Sequence, residues 1–296
     1  MRFVIAGASG FLGTAWRDHL AQQGHEVVRL VRGTPMSGSE SPWDPYAGRV
    51  DAAVIEDADV VACLSGAPLA HLPWTAAYRR TFEQSRLATT RTLAEAIAAS
   101  ARKPAFLAQN GISGYGDRND LVVTEESETD AATFMGRLTR EWERATHPAR
   151  DAGARVVVLR SSVVLGRRGG AFKLLLPLFK AGLGGPVGSG QQYFATISVR
   201  DWARAATFLA THDDCSGPYN LTGPGPATNA EFTKQLGDLL NRPTLLRAPA
   251  FAFRAALGET SSELLGSVRL EPARLLEAGF TFEDPTVRDQ LTAALR

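Results

Sequence analysis

Three glycines in Gly7-Ala-Ser-Gly10-Phe-Leu-Gly13 stand at G-x-x-G-x-x-G spacing, directly after the apolar run RFVIAG (2–7). A turn of this kind uses a glycine that tolerates positive φ and brings bare backbone up to phosphate oxygens. Its last glycine lets the following helix pack closely on the strand. The helix N-terminus adds unpaired N–H donors and a partial positive charge, so the chemistry indicated is pyrophosphate binding. Gly7, Ser9, Gly10, Phe11, Leu12 and Gly13 are the expected cofactor contacts. Strand, turn, helix and a second strand, HEVVRLVR (25–32), follow one another within about thirty residues. That context separates a dinucleotide site from a chance glycine pattern. The second strand ends Leu30-Val31-Arg32-Gly33, and its one acid, Glu26, lies at the far end. A carboxylate at the strand's end would bind free ribose hydroxyls, whereas Arg32 suits a 2′-phosphate, so NADP(H) is expected over NAD(H) and over a flavin. The plainer role for Arg32 is a solvated surface cation.

A second cluster lies in FLAQNGISGYGDR (106–118), where an apolar strand runs into a turn carrying Asn110, Ser113 and Tyr115 among three glycines. Polar side chains at the mouth of a buried strand are where α/β proteins place catalytic groups. Tyr115 is the candidate proton donor, with Asn110 and Ser113 as further hydrogen-bonding groups. The alternative is that Tyr115 packs its ring and bonds locally.

The elements that must position these groups alternate. Strands are expected at 2–7, 25–32, near 52–55, and at 58–66, 104–109 and 155–162, with helices at 11–23, 78–100 and 131–149. Alternation of this kind predicts a Rossmann-type, doubly wound parallel sheet with helices on both faces. Past residue 165 come Gly-rich loops, an amphipathic helix at 171–182, and a helix capped by Asp201 and running to about His212. The segments FAFRAALGE, SSELLG and PARLLEAG read as short helices. The expected organisation is a nucleotide-binding domain over 1–245, with substrate-side segments from about 165, and a small, mostly helical C-terminal domain over 246–296.

Composition excludes several classes. Of 296 residues, 44% are hydrophobic and 21% charged, and 32 basic residues face 31 acidic ones without blocks, so a nucleic-acid partner has no electrostatic basis. No apolar run approaches the roughly 20 residues of a membrane span. The N-terminal run is too short for a signal-peptide core. Cys63 and Cys215 read as buried reduced thiols, consistent with a cytoplasmic protein. The five histidines form no pair at ligand spacing, so no metal site is expected.

The glycine spacing together with Leu64-Ser65-Gly66 resembles the extended short-chain dehydrogenase/reductase superfamily. More narrowly, the chain resembles its atypical epimerase family proteins, which carry a C-terminal domain of unknown function. The matching pieces include WDP (43–45), Ser85-Arg86, Gly-Tyr-Gly-Asp (114–117), Trp142-Glu143, GPYNLTGPGPATNAEF (217–232) and LGETSSELLGSVRLEPARLLEAGFTFEDP (257–285). The resemblance implies cofactor contacts at Leu64, Ser65, Gly66, Arg86, Arg160 and Ser162. It also implies a catalytic hydroxyl, tyrosine and lysine, but the corresponding positions are Gly111, the neighbourhood of Phe134 and that of Leu138. The arginine with which many epimerases hold a substrate diphosphate falls on Tyr193 or Phe194, and the next basic residue is Arg200. Two functions follow: an NADP(H)-dependent reductase or epimerase acting on a small molecule, or a non-catalytic NADP(H)-binding sensor. Members of the superfamily often dimerise through helices equivalent to 78–100 and 131–149, so the resemblance offers a homodimer.

Overall fold

The computed structural model describes residues 1–69, 71, 73–247 and 265–296. The helices expected in FAFRAALGE and the start of SSELLG lie outside the described residues. Strands β1 (Arg2–Ala6), β2 (Glu26–Val31), β3 (Glu40–Asp44), β4 (Arg49–Val50), β5 (Val60–Cys63) and β6 (Ala105–Gly111) form one sheet with β7 (Val156–Ser161) and β8 (Gly217–Leu221). The order is β8-β7-β6-β5-β1-β2-β3-β4. β1 pairs in parallel with both β2 and β5, and β5 with β6. The strand order therefore reverses at the β1–β5 pair, and the chain leaves these two strands at Gly7 and Leu64. A crevice of this kind, at the carboxyl ends of strands where the order reverses, is where doubly wound sheets bind ligands.

The chain forms two compact units that interleave along the sequence. The first comprises Met1–Asn110, Arg140–Arg160 and Ala203–Tyr219; the second comprises Gly111–Thr139, Ser161–Trp202 and Asn220–Arg296. The described part of the 246–296 segment thus lies in the second unit. The first unit's core joins Val4, Ala6, Val28, Leu30, Val61, Cys63, Phe106 and Val158 of the sheet to Leu93, Ala94 and Ile97 of helix α3 (Ala76–Ala99). Trp43 of β3 fills the same core. Helix α1 (Phe11–Gln22) is tied in by Trp16, whose indole N–H donates to Thr207 at 2.8 Å. Cys63 and Cys215 are both buried and free, and burial pushes the Cys63 thiol up. The second unit's core gathers Phe172, Leu176, Phe194, Phe232, Leu236 and Leu291.

Several expectations change. The segment near 52–55 is a helix, Ala52–Glu56, because Asp51 caps it by accepting from the Ala53 amide at 3.0 Å. β3, on the WDP motif, was not anticipated and pairs in parallel with β2. The helix expected over 131–149 is two, Phe134–Arg144 and His147–Asp151, the second with Pro148 in its first turn. Asp201 does not cap the helix Val199–Thr211. Ser198 accepts the Asp201 amide at 3.1 Å, while the buried Asp201 carboxylate accepts the amides of Glu283 and Asp284 at 3.0 and 2.7 Å. No described helix is long and apolar enough to cross a membrane. No group of side chains able to hold a metal occurs among the described residues.

Candidate functional site

In the first unit, the turn after β1 has the conformation that its glycines allow. Gly7 lies at φ +81°, and a Cβ there would stand 2.6 Å from the Leu64 carbonyl carbon at the end of β5. A Cβ on Gly13 would stand 2.2 Å from the Gly7 carbonyl oxygen, so the first turn of α1 lies directly on the loop. Gly10 closes the turn, its amide donating to the Gly7 carbonyl at 3.0 Å. It is also the N-cap residue of α1 and supplies no side-chain cap, and no acidic residue lies in the first helical turn. The amides of this turn therefore keep their affinity for an anion. Ser9 and Gly10 are exposed, Phe11 and Leu12 half-buried. These features fit a dinucleotide pyrophosphate. Arg32 follows β2, is exposed, and makes no ion pair among the described residues.

The turn after β5 is held by side chains of α3 and the segment before it. Ser85 Oγ accepts from the Ala67 amide at 2.8 Å, and Arg86 donates to the carbonyls of Ala67 and Phe82 at 3.1 and 3.0 Å. Tyr78 donates to the Pro68 carbonyl, and the Trp74 indole to that of Leu69 at 3.3 Å. The Arg86 guanidinium stacks 3.4 Å above the Phe82 ring. Arg86 is thus held by protein, with Nη1 on the Phe82 carbonyl and Nη2 on that of Ala67.

Arg160 is buried and makes a forked ion pair with Glu143, its Nη2 donating at 3.0 and 3.2 Å. In the second unit, Ser162 Oγ donates to the Leu221 carbonyl at 3.0 Å. Both of these expected cofactor groups have protein partners.

Among the expected catalytic residues, Asn110 is buried near the end of β6, in the first unit. Ser113 and Tyr115 lie in the second unit, within a turn in which the Ser113 carbonyl accepts from Gly116 and that of Ile112 from Tyr115. Tyr115 is 1% exposed, and its hydroxyl donates to Asn220 Oδ1 at 2.8 Å. Asn220, 0% exposed, donates through its side chain to the Glu271 carbonyl at 3.1 Å and through its backbone to Glu125 at 2.8 Å. Glu125 is 6% exposed and also accepts the Arg274 amide at 3.3 Å. Burial pushes its carboxyl above the usual range, outweighing those N–H donors. Asn220 was not among the expected site residues, and its role as a buried hub was missed. Its one local signal was an amide in the midst of an apolar strand.

The remaining positions are occupied by other chemistry. A Cβ on Gly111 would meet Thr139 Cγ2 at 3.7 Å, an ordinary contact, so the missing hydroxyl is a matter of sequence and not of crowding. Leu138 is buried. Phe194 packs edge-on against Phe232 at 5.1 Å, and Tyr193 lies under the Arg269 guanidinium. Arg200 is engaged by Glu283 at 3.1 Å and by Asp284.

Comparison with known proteins agrees with this architecture. The model of the NAD dependent epimerase/dehydratase family matches residues 3–222, and that of a domain of unknown function matches residues 248–294. An epimerase family protein of Mycobacterium leprae is 40% identical over 292 residues, spanning 98% of this chain and 94% of its own length. The crystal structure of a human epimerase family protein with NADPH superposes with a TM-score of 0.91 at 31% identity, covering 99% of each chain. A nucleoside-diphosphate sugar epimerase from Corynebacterium glutamicum superposes with a TM-score of 0.81 at 31% identity, covering all of this chain and 58% of that one. With the glycine turn, the sheet order and both matched segments in place, this chain belongs to the NAD-dependent epimerase/dehydratase family.

Proposed function

We propose that this protein binds NADP(H) in its first unit and uses it for hydride exchange with a small molecule that carries no nucleotide diphosphate. The observation that carries this reading is the uncapped start of α1, packed closely on the glycine turn through Gly7 and Gly13 at the β1–β5 reversal. The amides there would hold the pyrophosphate, and Arg32 would pair with the 2′-phosphate. The human relative crystallised with NADPH supports that choice. Bound in this way, the nicotinamide supplies or accepts the hydride, and the chain contributes binding and orientation. Tyr115 is not assigned the proton, because its hydroxyl is buried and committed to Asn220; water supplies it. The aromatic residues at 193 and 194 and the paired Arg200 argue against a diphosphate-bearing substrate.

The committed Tyr115 hydroxyl equally favours a second reading, an NADP(H)-binding protein without turnover. Fluorescence titration with NADPH and NADH, followed by assay of NADPH oxidation against a panel of carbonyl compounds, separates the two. Saturable binding preferring NADPH with turnover of one carbonyl class supports the first. Tight binding with no turnover anywhere supports the second, and no saturable signal at millimolar cofactor defeats both.

A further inference from the structure

The guanidinium of Arg86 sits in an unusual place for a cation. The side chain is half-buried, stacked on Phe82 and 5.2 Å from the Trp142 ring, and no carboxylate pairs with it among the described residues. Loss of water around it pulls its pKa down to about 10, so it remains charged at neutral pH. A desolvated charge without a counter-ion costs free energy unless its hydrogen bonds and the faces of nearby rings compensate it. Here the compensation comes from two backbone carbonyls, Phe82 in its own helix and Ala67 in the turn after β5.

What this arrangement holds can be followed residue by residue. Gly66 lies against the guanidinium, and a Cβ there would be 3.2 Å from Arg86 Cζ. Two residues earlier, Leu64 donates its amide to the Ala6 carbonyl at 2.9 Å, which extends the sheet, and its carbonyl carbon abuts Gly7. Gly7 in turn bears on Gly13 at the start of α1. A continuous packed path therefore runs from Arg86 through Gly66 and Leu64 to the turn whose amides face the pyrophosphate in the proposed function.

We propose that Arg86 is a positioning residue for the dinucleotide site, fixing the turn Leu64–Ala67 against the glycine turn without touching the cofactor. The inference rests on the NADP(H) reading. Arginine is needed because one planar group must stack on a ring and donate to two carbonyls in different directions. A lysine ammonium can reach one of them but offers no plane. Glycine at 66 is the complementary requirement, leaving room for the guanidinium to lie against the backbone.

The test compares wild type with Arg86→Lys, Arg86→Met and Gly66→Ala. Amide hydrogen exchange over residues 64–69 is measured without nucleotide, and the NADPH Kd by fluorescence. Exchange over 64–69 is expected to quicken about tenfold in the Arg86 variants while β1 and β6 keep their protection. The NADPH Kd is expected to rise about five- to tenfold, because binding must then order the turn that Arg86 holds in place in the wild type. Gly66→Ala should raise the Kd similarly with the guanidinium still present, which a purely electrostatic or merely stabilising role would not produce. If Arg86→Met does not fold, the Lys and Gly66→Ala variants carry the same comparison. Unchanged exchange over 64–69, or faster exchange with an unshifted Kd, overturns the proposal. Wild type that binds no NADPH overturns the cofactor reading and this proposal together, whereas wild-type binding with unshifted variants overturns this proposal alone.

Discussion

Replacing Tyr115 with Phe removes one hydroxyl from a fully enclosed site and asks whether that hydroxyl holds structure or performs chemistry. In the native protein it donates to Asn220 Oδ1 at 2.8 Å, with Tyr115 1% and Asn220 0% exposed. The amide end of Asn220 stays on the Glu271 carbonyl, so the side chain cannot turn round to find another donor without breaking that bond. The variant leaves a buried acceptor short of its donor, at about 1–3 kcal/mol. For a chain of this size each kcal/mol lowers Tm by about 1.5–2 °C, so a fall of a few degrees in scanning fluorimetry is expected, with a matching shift of the urea midpoint. Asn220→Leu in the same assay, combined with Tyr115→Phe, should show a coupling of about 0.5–3 kcal/mol. NADPH affinity and any turnover should remain within a factor of a few. A variant with native stability and abolished turnover would refute this account and return the proton-donor role to Tyr115.

Three further outcomes follow from the same geometry. Gly13→Ala puts a methyl 2.2 Å from the Gly7 carbonyl oxygen and should abolish NADPH binding in a titration while lowering Tm, because backbone and not a flexible side chain must yield. Arg32→Ala should weaken NADPH by about tenfold or more, through loss of a charge-assisted pair, and leave NADH nearly unaffected; equal losses for both nucleotides would remove Arg32 from the 2′-phosphate. For Glu125, burial raises the folded carboxyl above its unfolded value, so its contribution is complete below the unfolded pKa and is lost as pH rises through the folded pKa. Glu125→Gln should therefore gain on wild type in Tm on going from pH 4 to pH 7, and a difference independent of pH would contradict the assignment.

What the sequence disclosed was chiefly local. The glycine turn and the buried strand VVAC of β5 depend on neighbours a few residues away, so spacing and hydropathy revealed them. The short stretch at 52–55 was misread because apolar content alone does not separate a one-turn helix from a strand, although Asp51 supplied the cap. Tyr115 was found, and a packed ring was weighed for it, but its bond is to Asn220 and not local, and that partner lies 105 positions away. The same holds for Arg86, whose meaning depends on Ala67, 19 residues back, and for Glu125, bonded to Asn220 and Arg274. Tertiary hydrogen bonds between distant segments leave no periodicity to read.

The interleaving of the two units also bears on how the polypeptide is made. The chain passes from one to the other after Asn110, Thr139, Arg160, Trp202 and Tyr219. In the second unit, Asp284 takes Ser198 at 2.6 Å, Gln290 takes Thr196 at 2.6 Å, and Glu271 takes Asn220. During synthesis these partners emerge 51 to 94 residues after the groups they bond, so the second unit cannot close until Gln290 has left the ribosome. A ribosome that stalls before Glu271 leaves the hydroxyls of Thr196 and Ser198 and the carboxamide of Asn220 with no one to bond, a ready target for chaperones and proteases.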